Sequence, residues 1–439
     1  MIKFLHTADL HLGKVFYDQA LSEDQAAVLD QLACLLQDDS YAALVIAGDV
    51  YDRSIPSPDA VELLGAFLAK AKSGNPSLEI FIIPGNHDSA VRLGFGRELF
   101  ASLGIRLCVM AADCDKPVIV EKNGERCAFF LLPFLNPGVL EANDAESSPD
   151  NPSNAEPLRS QSALAVEAGR RMEKARQVLA DQGVSRAVLA AHLFASGGAE
   201  AGSERVFLGS AELVNISLFK EFDYIALGHL HRCQRVGDNA WYSGSPLVYS
   251  FGEVQATSTS TGQKSGEKFF LSVELKDGGA AVEKIPVKPL RNAASFSGPF
   301  ARFAADESAD SELAAAKDDY LEIRLTDRGI TENARDILRK RFPRLLSLRQ
   351  DDARAGLASG LATAFAAVSH GERRSLSADF KDFLASLYGA EYEPDASSGT
   401  AEEIELFEAL LAEAEGEQNE SLGTRQSGLR SPNEGGLPF

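Results

Sequence analysis

Asn86, His87 and Asp88 stand in a row just after an apolar run at residues 80–83, which Pro84 and Gly85 bring to a stop. An amide, an imidazole and a carboxylate at the end of a β-branched stretch are poor core material. They suit a metal site at the carboxyl end of a sheet, where open α/β folds place their chemistry. Four more places repeat the layout of apolar stretch and then ligand-type residue. They are Asp9 and His11 in HTADLH, Asp49 in AGDVYDR, His192 in LAAHLFASGG, and His229 with His231 in IALGHLH. Of the seven histidines, five occupy these ends, and His6 and His370 do not. In the D-L-H and H-L-H pairs, extended backbone would turn residues i and i+2 to one side, so that both reach one ion.

A lone loop histidine is usually satisfied by ordinary hydrogen bonds. Five strand ends carrying His, Asp and Asn argue for a cation instead, and a donor set without thiolate favours Mn²⁺, Mg²⁺, Fe²⁺ or Zn²⁺. The five cysteines are an odd number with no CxxC pair, which speaks against a disulfide framework and a thiolate zinc site. Asp49, central in the order, could bridge two ions. Two ions about 3.5–4 Å apart clamp a phosphodiester and lower the pKa of a shared water.

The elements that must position these residues alternate in the first half of the chain, as in an α/β layered fold. Strands are expected at 2–6, 43–47, 80–83, 127–132, 187–191 and 224–227, with 243–250 continuing the sheet region. Helices are expected at 24–36, 58–72, 93–103 and 163–181. The character changes after residue 266. Residues 269–275 and 281–287 alternate like a hairpin closed by Asp277, Gly278 and Gly279. A strand at 320–325, a helix at 331–341 and a strand at 345–348 complete a small α+β second domain. Residues 141–160 and 255–266 read as polar loops, and residues 376–388 and 401–415 as two amphipathic helices.

At 439 residues the chain has room for two or three domains. No apolar run is long enough to span a bilayer, and the N-terminal stretch reaches a carboxylate too early for a signal peptide. A soluble, cytoplasmic protein is expected. The net charge of −21 sits badly with a nucleic-acid enzyme, but residues 391–420 hold eleven acids and no base, and 141–156 hold five more acids. Setting both segments aside leaves a mildly acidic body of −5. Residues 335–349 run the other way, with Arg335, Arg339, Lys340, Arg341, Arg344 and Arg349 against Asp336. Such a face suits phosphate contact, or is an ordinary solvated surface. No GxxxxGK[ST] loop occurs, so any ATP dependence must come from another chain.

The pattern DLH, GDVYDR, GNHD, H and GHLH resembles the calcineurin-like metallophosphoesterase superfamily. The surrounding phrases HTADLHLGK, AHLFASGG, FDYIALGHLHR, YSGSPLVYSFGE and DDYLEIRLTD…RFPRLLSL resemble, within it, the SbcD family of double-strand-break repair nucleases. The similarity runs from Met1 to about Glu415. It implies an α/β layered sandwich, two central β-sheets flanked by helices, with a small α+β capping domain and C-terminal helices. It divides the chain into a nuclease domain at 1–266, a DNA-binding cap at 267–350, a linker at 351–375, ATPase-binding helices at 376–416 and a disordered tail at 417–439.

It also implies roles. Asp9, His11, Asp49 and His231 would hold one ion, and Asp49, Asn86, His192 and His229 the other, Mn²⁺ before Mg²⁺ or Fe²⁺. His87 would be the catalytic imidazole, stabilising the transition state or protonating the leaving oxygen, with the Asp52 side chain orienting its ring. Arg53 would touch phosphate, Asp88 would form a turn, and His6 would lie in the core or behind the ligands. The implied activity is ATP-dependent 3′–5′ exonuclease and hairpin or single-strand endonuclease action in DNA repair, recombination and replication. The implied partners are DNA, an SbcC-type ATPase held by the C-terminal helices, and a second copy of the chain in a heterotetramer. Leu64, Phe67, Leu68, Leu93, Phe95 and Leu99 are candidates for that homodimer face. The rival readings are a phosphoesterase acting on a non-DNA substrate and a scaffold with a dead site.

Overall fold

The computed structural model describes residues 1–141, 158–196, 213–255, 266–305, 310–327 and 333–350. Most of the expected insertion at 141–160, most of the loop at 255–266, the linker, both C-terminal helices, the tail and His370 lie outside these residues. The chain divides into two compact units, one of Met1–Leu325 with Thr331–Arg349 and one of Thr326–Ile330 with Gln350–Phe439. The first unit carries everything described below.

In chain order it begins with β1 (Lys3–Thr7), a two-residue ribbon β2 (Val15–Phe16) and β3 (Gln19–Ala20), α1 (Ser22–Leu35), β4 (Tyr41–Ala47) and α2 (Pro58–Gly74). There follow β5 (Glu79–Ile83), α3 (Ala90–Leu93), α4 (Arg97–Ala101), β6 (Ile105–Leu107), β7 (Val118–Lys122), β8 (Glu125–Leu132), α5 (Gln161–Asp181) and β9 (Arg186–His192). Then come β10 (Tyr224–Gly228), β11 (Gln234–Arg235), β12 (Ala240–Tyr242), α6 (Phe251–Gln255), β13 (Phe269–Lys276) and β14 (Gly279–Pro286). The last elements are β15 (Ala293–Gly298), α7 (Phe300–Ala304), α8 (Ser311–Ala315), β16 (Tyr320–Leu325), α9 (Ala334–Arg341) and β17 (Leu345–Gln350).

Two six-stranded sheets, ordered β14-β13-β1-β4-β5-β6 and β11-β12-β10-β9-β8-β7, face each other. Strand alternation sorts the side chains into layers. Along β4, Ala43, Val45 and Ala47 enter the core between the sheets, while Leu44 and Ile46 enter the outer core. Along β9, Val188 and Ala190 face the first sheet, and Leu189 and Ala191 face outward. The Phe81 and Phe129 rings stack across the middle at 4.7 Å. Outside the first sheet lie α1 and α2, with Val28, Leu29, Leu32, Leu64 and Phe67 buried. Outside the second lies α5, with Leu164, Ala168 and Met172 buried. Each of these Val, Leu, Phe and Met side chains contributes about 1.5–3 kcal/mol by leaving water. Helix α2 starts where Ser57 accepts from the Ala60 amide and Pro58 occupies the first turn.

This is the expected layered sandwich. Strands β1, β4 and β5 run parallel to one another in the first sheet, and β8, β9 and β10 do so in the second, so the carboxyl ends that carry the candidate ligands emerge on a shared edge. No helix among the described residues is long and apolar enough to cross a membrane.

Three expectations need correction. The hairpin expected to open the second domain at 267 is part of the first sheet, since β13 pairs antiparallel with β1. Phe270 packs outward and Leu271, Val273 and Leu275 pack inward, so the strand is buried on both faces. Alternation alone does not reveal a partner more than 250 residues away. The segment 243–250 is not a strand; it is irregular chain that leads into α6. The helix expected over 93–103 is broken into α3 and α4 by Gly94 and Gly96, the latter at φ 71°. Strands β15-β16-β17 form a three-stranded sheet with α7 to α9 around Phe303, Leu321, Ile323 and Leu338, within the same compact unit as the two larger sheets. It joins the outer core of the first sheet through Tyr320 and Leu346.

Candidate metal centre

Each expected ligand sits one to four residues past the end of a buried parallel strand, or at its end. Asp9 and His11 follow β1, Asp49 follows β4, Asn86 follows β5, His192 ends β9, and His229 and His231 follow β10. All but Asn86 are nearly inaccessible. The loops do not run extended as the i, i+2 argument required. Asp9 (φ 53°), His11 (φ 44°), Asp49 (φ 47°) and His229 (φ 110°) all have positive φ. Such backbone costs on the order of 1–3 kcal/mol per non-glycine residue and is concentrated at functional sites. Crosslinks between the loops hold it. Asp9 N donates to Gly48 O and His11 N to Asp49 O, both at 3.0 Å, and Gln25 Nε2 donates to His11 O at 2.7 Å.

The glycine before three of the ligands is a packing requirement. A Cβ on Gly85 would lie 2.1 Å from Asp49 Oδ1, and one on Gly228 would lie 1.9 Å from Ala47 O and 2.9 Å from His192 Nδ1. Gly228→Ala is therefore expected to cost about 1–3 kcal/mol by forcing β10 from β4, and to lower metal affinity by shifting His192 and His229. Calorimetric melting and a Mn²⁺ titration of the variant check this. Parent-like values for both would refute the packing argument.

The hydrogen bonds decide which ring nitrogens carry lone pairs. His192 Nδ1 lies 2.9 Å from Ala47 O, which only accepts, so Nδ1 is protonated and Nε2 is bare. That bare nitrogen faces Asn86 Oδ1 at 3.0 Å, with the amide in this orientation, and Asp49 Oδ2 at 3.5 Å. His231 Nδ1 faces Glu253 Oε1 at 3.5 Å and His11 Nδ1 faces Asp52 Oδ1 at 3.5 Å. Their Nε2 atoms are then left pointing at each other, 3.2 Å apart. His229 Nδ1 is 3.0 Å from Asn86 Oδ1, and its buried Nε2 has no hydrogen-bond partner.

Burial pushes His11 down to about 4 and His229 to about 3, and lowers His192 as well, so these rings are neutral. For Asp49 burial acts upward, but the carboxyl lies below its usual range, helped by the His87 amide that donates to its Oδ1 at 2.9 Å. Neutral imidazoles and an ionised carboxylate turning lone pairs on one another are mutually repulsive unless a cation lies among them. The residues fit divalent metal.

Two groupings match the expected ligand sets in part. Donor atoms of Asp9, His11 and His231 lie within 4.8 Å of one another, and so do those of Asp9, Asp49 and His192. A third grouping joins His11, Asp52 and His87. Asp9 also accepts the His229 amide, at 3.0 and 3.2 Å. Asn86 meets both His192 and His229, so the structure brings together all seven proposed ligands.

His87 is half-buried beside them, its ring 4.7 Å from that of His11. Its Nδ1 bonds the main-chain carbonyl of Asp52 at 2.9 Å, not the carboxylate expected to orient it. The Asp52 side chain instead takes Lys14 Nζ at 2.7 Å and turns toward His11. The bend within GDVYDR at Asp52 aims a carbonyl at the imidazole, which residue types alone do not disclose. Asp88 is the turn-former expected: its carboxylate accepts from the Gly85, Val50 and Tyr51 amides, each at 2.9 Å. Burial, and then Asp49, push it up to about 7. His6 is a core residue between Tyr224 Oη and Leu227 O.

Glu253 was missed as a functional residue. Its carboxylate takes the Lys268 ammonium on one oxygen and faces His231 with the other. Burial acts upward on it, yet Lys268 and His231 bring it down to about 2. The motif YSFGE held the only signal. Glu253→Gln is expected to weaken metal binding about 10–100-fold and to cost about 3 kcal/mol by leaving Lys268 unpaired. Mn²⁺ titration with calorimetry checks both.

The basic run is largely spent inside the fold. Arg339 pairs with Asp18 at 3.0 Å and Arg349 with Glu322 at 3.1 Å, while Arg335, Arg341 and Arg344 bond main-chain carbonyls. Arg53 stands exposed at the rim, 3.8 Å from Asp52.

Residues 2–233 match the family model described as calcineurin-like phosphoesterase. The SbcD component of the nuclease SbcCD from Staphylococcus saprophyticus is 30% identical over 350 residues, covering 79% of this chain and 84% of its own. Among solved structures, a dimetal phosphatase from Danio rerio is 14% identical with a TM-score of 0.38, covering 65% of this chain and 99% of its own. The calcineurin-like phosphoesterase YfkN from Bacillus subtilis is 13% identical with a TM-score of 0.31, covering 64% and 90%.

Proposed function

Because the chain belongs to the calcineurin-like phosphoesterase family, and within it to the SbcD nucleases, we propose that it cleaves DNA at the centre built on Asp49 and His87. It is a metal-dependent hydrolase of phosphodiester bonds. The observation that carries the DNA reading to this site is the convergence of neutral imidazole lone pairs on one ionised carboxylate, with a separate imidazole beside them.

Divalent ions bound there supply charge neutralisation for a phosphodiester and an acidified water. Asp9, His11, Asp49 and His231 would hold one such ion, and Asp49, Asn86, His192 and His229 the other. Mn²⁺ is the metal that the family resemblance implies, and nitrogen and oxygen donors without sulfur suit it as they suit Mg²⁺, Fe²⁺ or Zn²⁺. His87 Nδ1 donates to the Asp52 carbonyl, and from the imidazolium form Nε2 passes its proton to the leaving oxygen and leaves the ring neutral. Gln25 and Glu253 fix the loops and rings against the strain of their backbone.

Action is on duplex ends from the 3′ side and on hairpins and single strands, in repair, recombination and replication. An SbcC-type ATPase supplies the ATP dependence and binds the segment 376–416. A second copy packs on the face after GNHDS. Of the residues expected there, Leu64, Phe67, Leu68 and Leu93 are core, whereas Phe95 and Leu99 are 85% and 77% exposed, together with Val91 at 86%. An apolar patch on two short helices that open from β5 supports a partner face.

The competing reading is a phosphoesterase for small esters. The discriminating measurement compares turnover of a hairpin oligonucleotide with that of bis-p-nitrophenyl phosphate in Mn²⁺. The hairpin is expected to be preferred by at least about 10³-fold in kcat/KM, since remote binding energy is available only to the larger substrate. Equal turnover would remove the DNA assignment.

A further inference from the structure

Of the histidines among the described residues, only His6 has no part in the proposed chemistry. Its side chain is fully buried between the two six-stranded sheets. It stands on the same face of β1 as Phe4, which belongs to the apolar layer filling that space. Its Nδ1 is 3.0 Å from Tyr224 Oη and its Nε2 is 3.2 Å from Leu227 O. A carbonyl only accepts, so Nε2 carries the proton and the bare Nδ1 accepts from the Tyr224 hydroxyl. Burial drives the ring down to about 3, so it is neutral.

Stability alone does not call for this pair. A matched buried pair contributes little more than apolar side chains of the same shape would, and the same layer accepts apolar rings at Phe4 and Phe129, 5.3 Å apart. What an apolar ring lacks is direction. Apolar contacts between sheets tolerate small slides, whereas a hydrogen bond holds a narrow range of distance and angle. The bond falls where a slide would matter. Leu227 is two residues before His229, and His6 is three before Asp9. Just beyond it, the Asp9 carboxylate accepts the His229 amide. The proposed ligands come from both sheets: Asp9 and His11 follow a strand of the first, and His229 and His231 a strand of the second. His192 makes the reciprocal crossing, from the end of β9 to Ala47 O at the end of β4.

We propose that His6 is a positioning residue: its hydrogen bond from Nε2 to Leu227 O fixes the end of β10 against the end of β1, and so sets how far apart the two sheets hold their metal donors. This role rests on the metal centre and is independent of the DNA substrate.

Gln and Met at position 6 have nearly equal shapes, and only Gln keeps a donor where Nε2 stands. Each is combined with Tyr224→Phe, so that no hydroxyl is orphaned. In chelator the two double variants are expected to melt within a few degrees of each other. By calorimetric titration of Mn²⁺, His6→Met with Tyr224→Phe should bind at least about tenfold more weakly than His6→Gln with Tyr224→Phe, the lower end for loss of a contact behind metal ligands. The Gln form should stay closer to the parent than to the Met form. Equal Mn²⁺ affinity in the two forms would overturn the proposal, and so would a Met form whose melting temperature in chelator collapses along with its affinity, since His6 would then be a core filler. The unaltered protein gives a second reading. With ¹⁵N-labelled histidine, His6 is expected as the Nε2–H tautomer, without titration between about pH 5 and 8 where an ordinary histidine changes charge, and with a slowly exchanging Nε2 proton. An Nδ1–H tautomer would exclude the bond to Leu227 and overturn the proposal, even if the variants fail to fold. A parent chain that takes up no Mn²⁺ would remove the metal centre and this role with it.

Discussion

Replacing His87 with alanine is expected to leave the number of bound metal ions unchanged and to cut phosphodiester cleavage by about 10²–10⁴-fold, the range for loss of a positioned acid or base. The separation follows from where the ring is tied. Nδ1 is committed to the Asp52 carbonyl at 2.9 Å, a bond to main chain from a loop that also carries Asp49. The seven proposed ligands are held by other contacts: His192 by the Ala47 carbonyl, His231 by Glu253, and the Asp9 loop by Gln25 and Gly48. None of these needs the His87 side chain. Its amide does matter, donating to Asp49 Oδ1 at 2.9 Å, and alanine keeps that amide. Metal analysis and single-turnover cleavage of a hairpin read the two halves independently. If the variant loses both its metal and its activity, His87 is a ligand, and the grouping of His11, Asp52 and His87 is the better description of the site.

Asp49→Asn tests the centre from the opposite side, and its sign is unusual. The parent carboxylate places Oδ2 3.7 Å from His11 Nε2 and 3.5 Å from His192 Nε2. In the variant, an amide oxygen at the Oδ1 position keeps the bond from His87 N. The NH₂ then stands where Oδ2 was, as a donor facing imidazole lone pairs. Without metal the variant should therefore melt no lower than the parent, with a gain of up to about 1 kcal/mol. With metal the order reverses. Ligand bound only by the folded state adds about 2.7 kcal/mol at a hundredfold excess over its dissociation constant, and the variant forgoes most of that. Cleavage should fall by at least about 10³-fold with the loss of transition-state stabilisation. Melting curves in chelator and in Mn²⁺ give both signs in one experiment. A variant that melts lower in chelator, or keeps the Mn²⁺ shift, would show that Asp49 is not the shared ligand.

The candidate site residues stood out without coordinates because their types are costly anywhere else. Five histidines, two aspartates and an asparagine at the ends of apolar strands have no economical place in a core, and parallel strands must deliver their ends to one edge. The layered sandwich was legible for a related reason: a strand such as β4, apolar at every position, needs cover on both faces, and α1 and α2 show the helical spacing to provide one of them.

Other features were settled only by distant parts of the chain. The edge hairpin β13–β14 alternates as any half-buried ribbon would, and only its pairing with β1 places it in the first sheet. Main-chain geometry was hidden as well: positive φ at Asp9, His11, Asp49 and His229, and a carbonyl rather than a carboxylate on His87. Glu253 became meaningful only when folding set it against His231 and Lys268. Residue types announce what a side chain is able to do, because that is covalent chemistry. Which atom it meets depends on contacts between segments far apart in the chain, and those exist only once the sheets have packed.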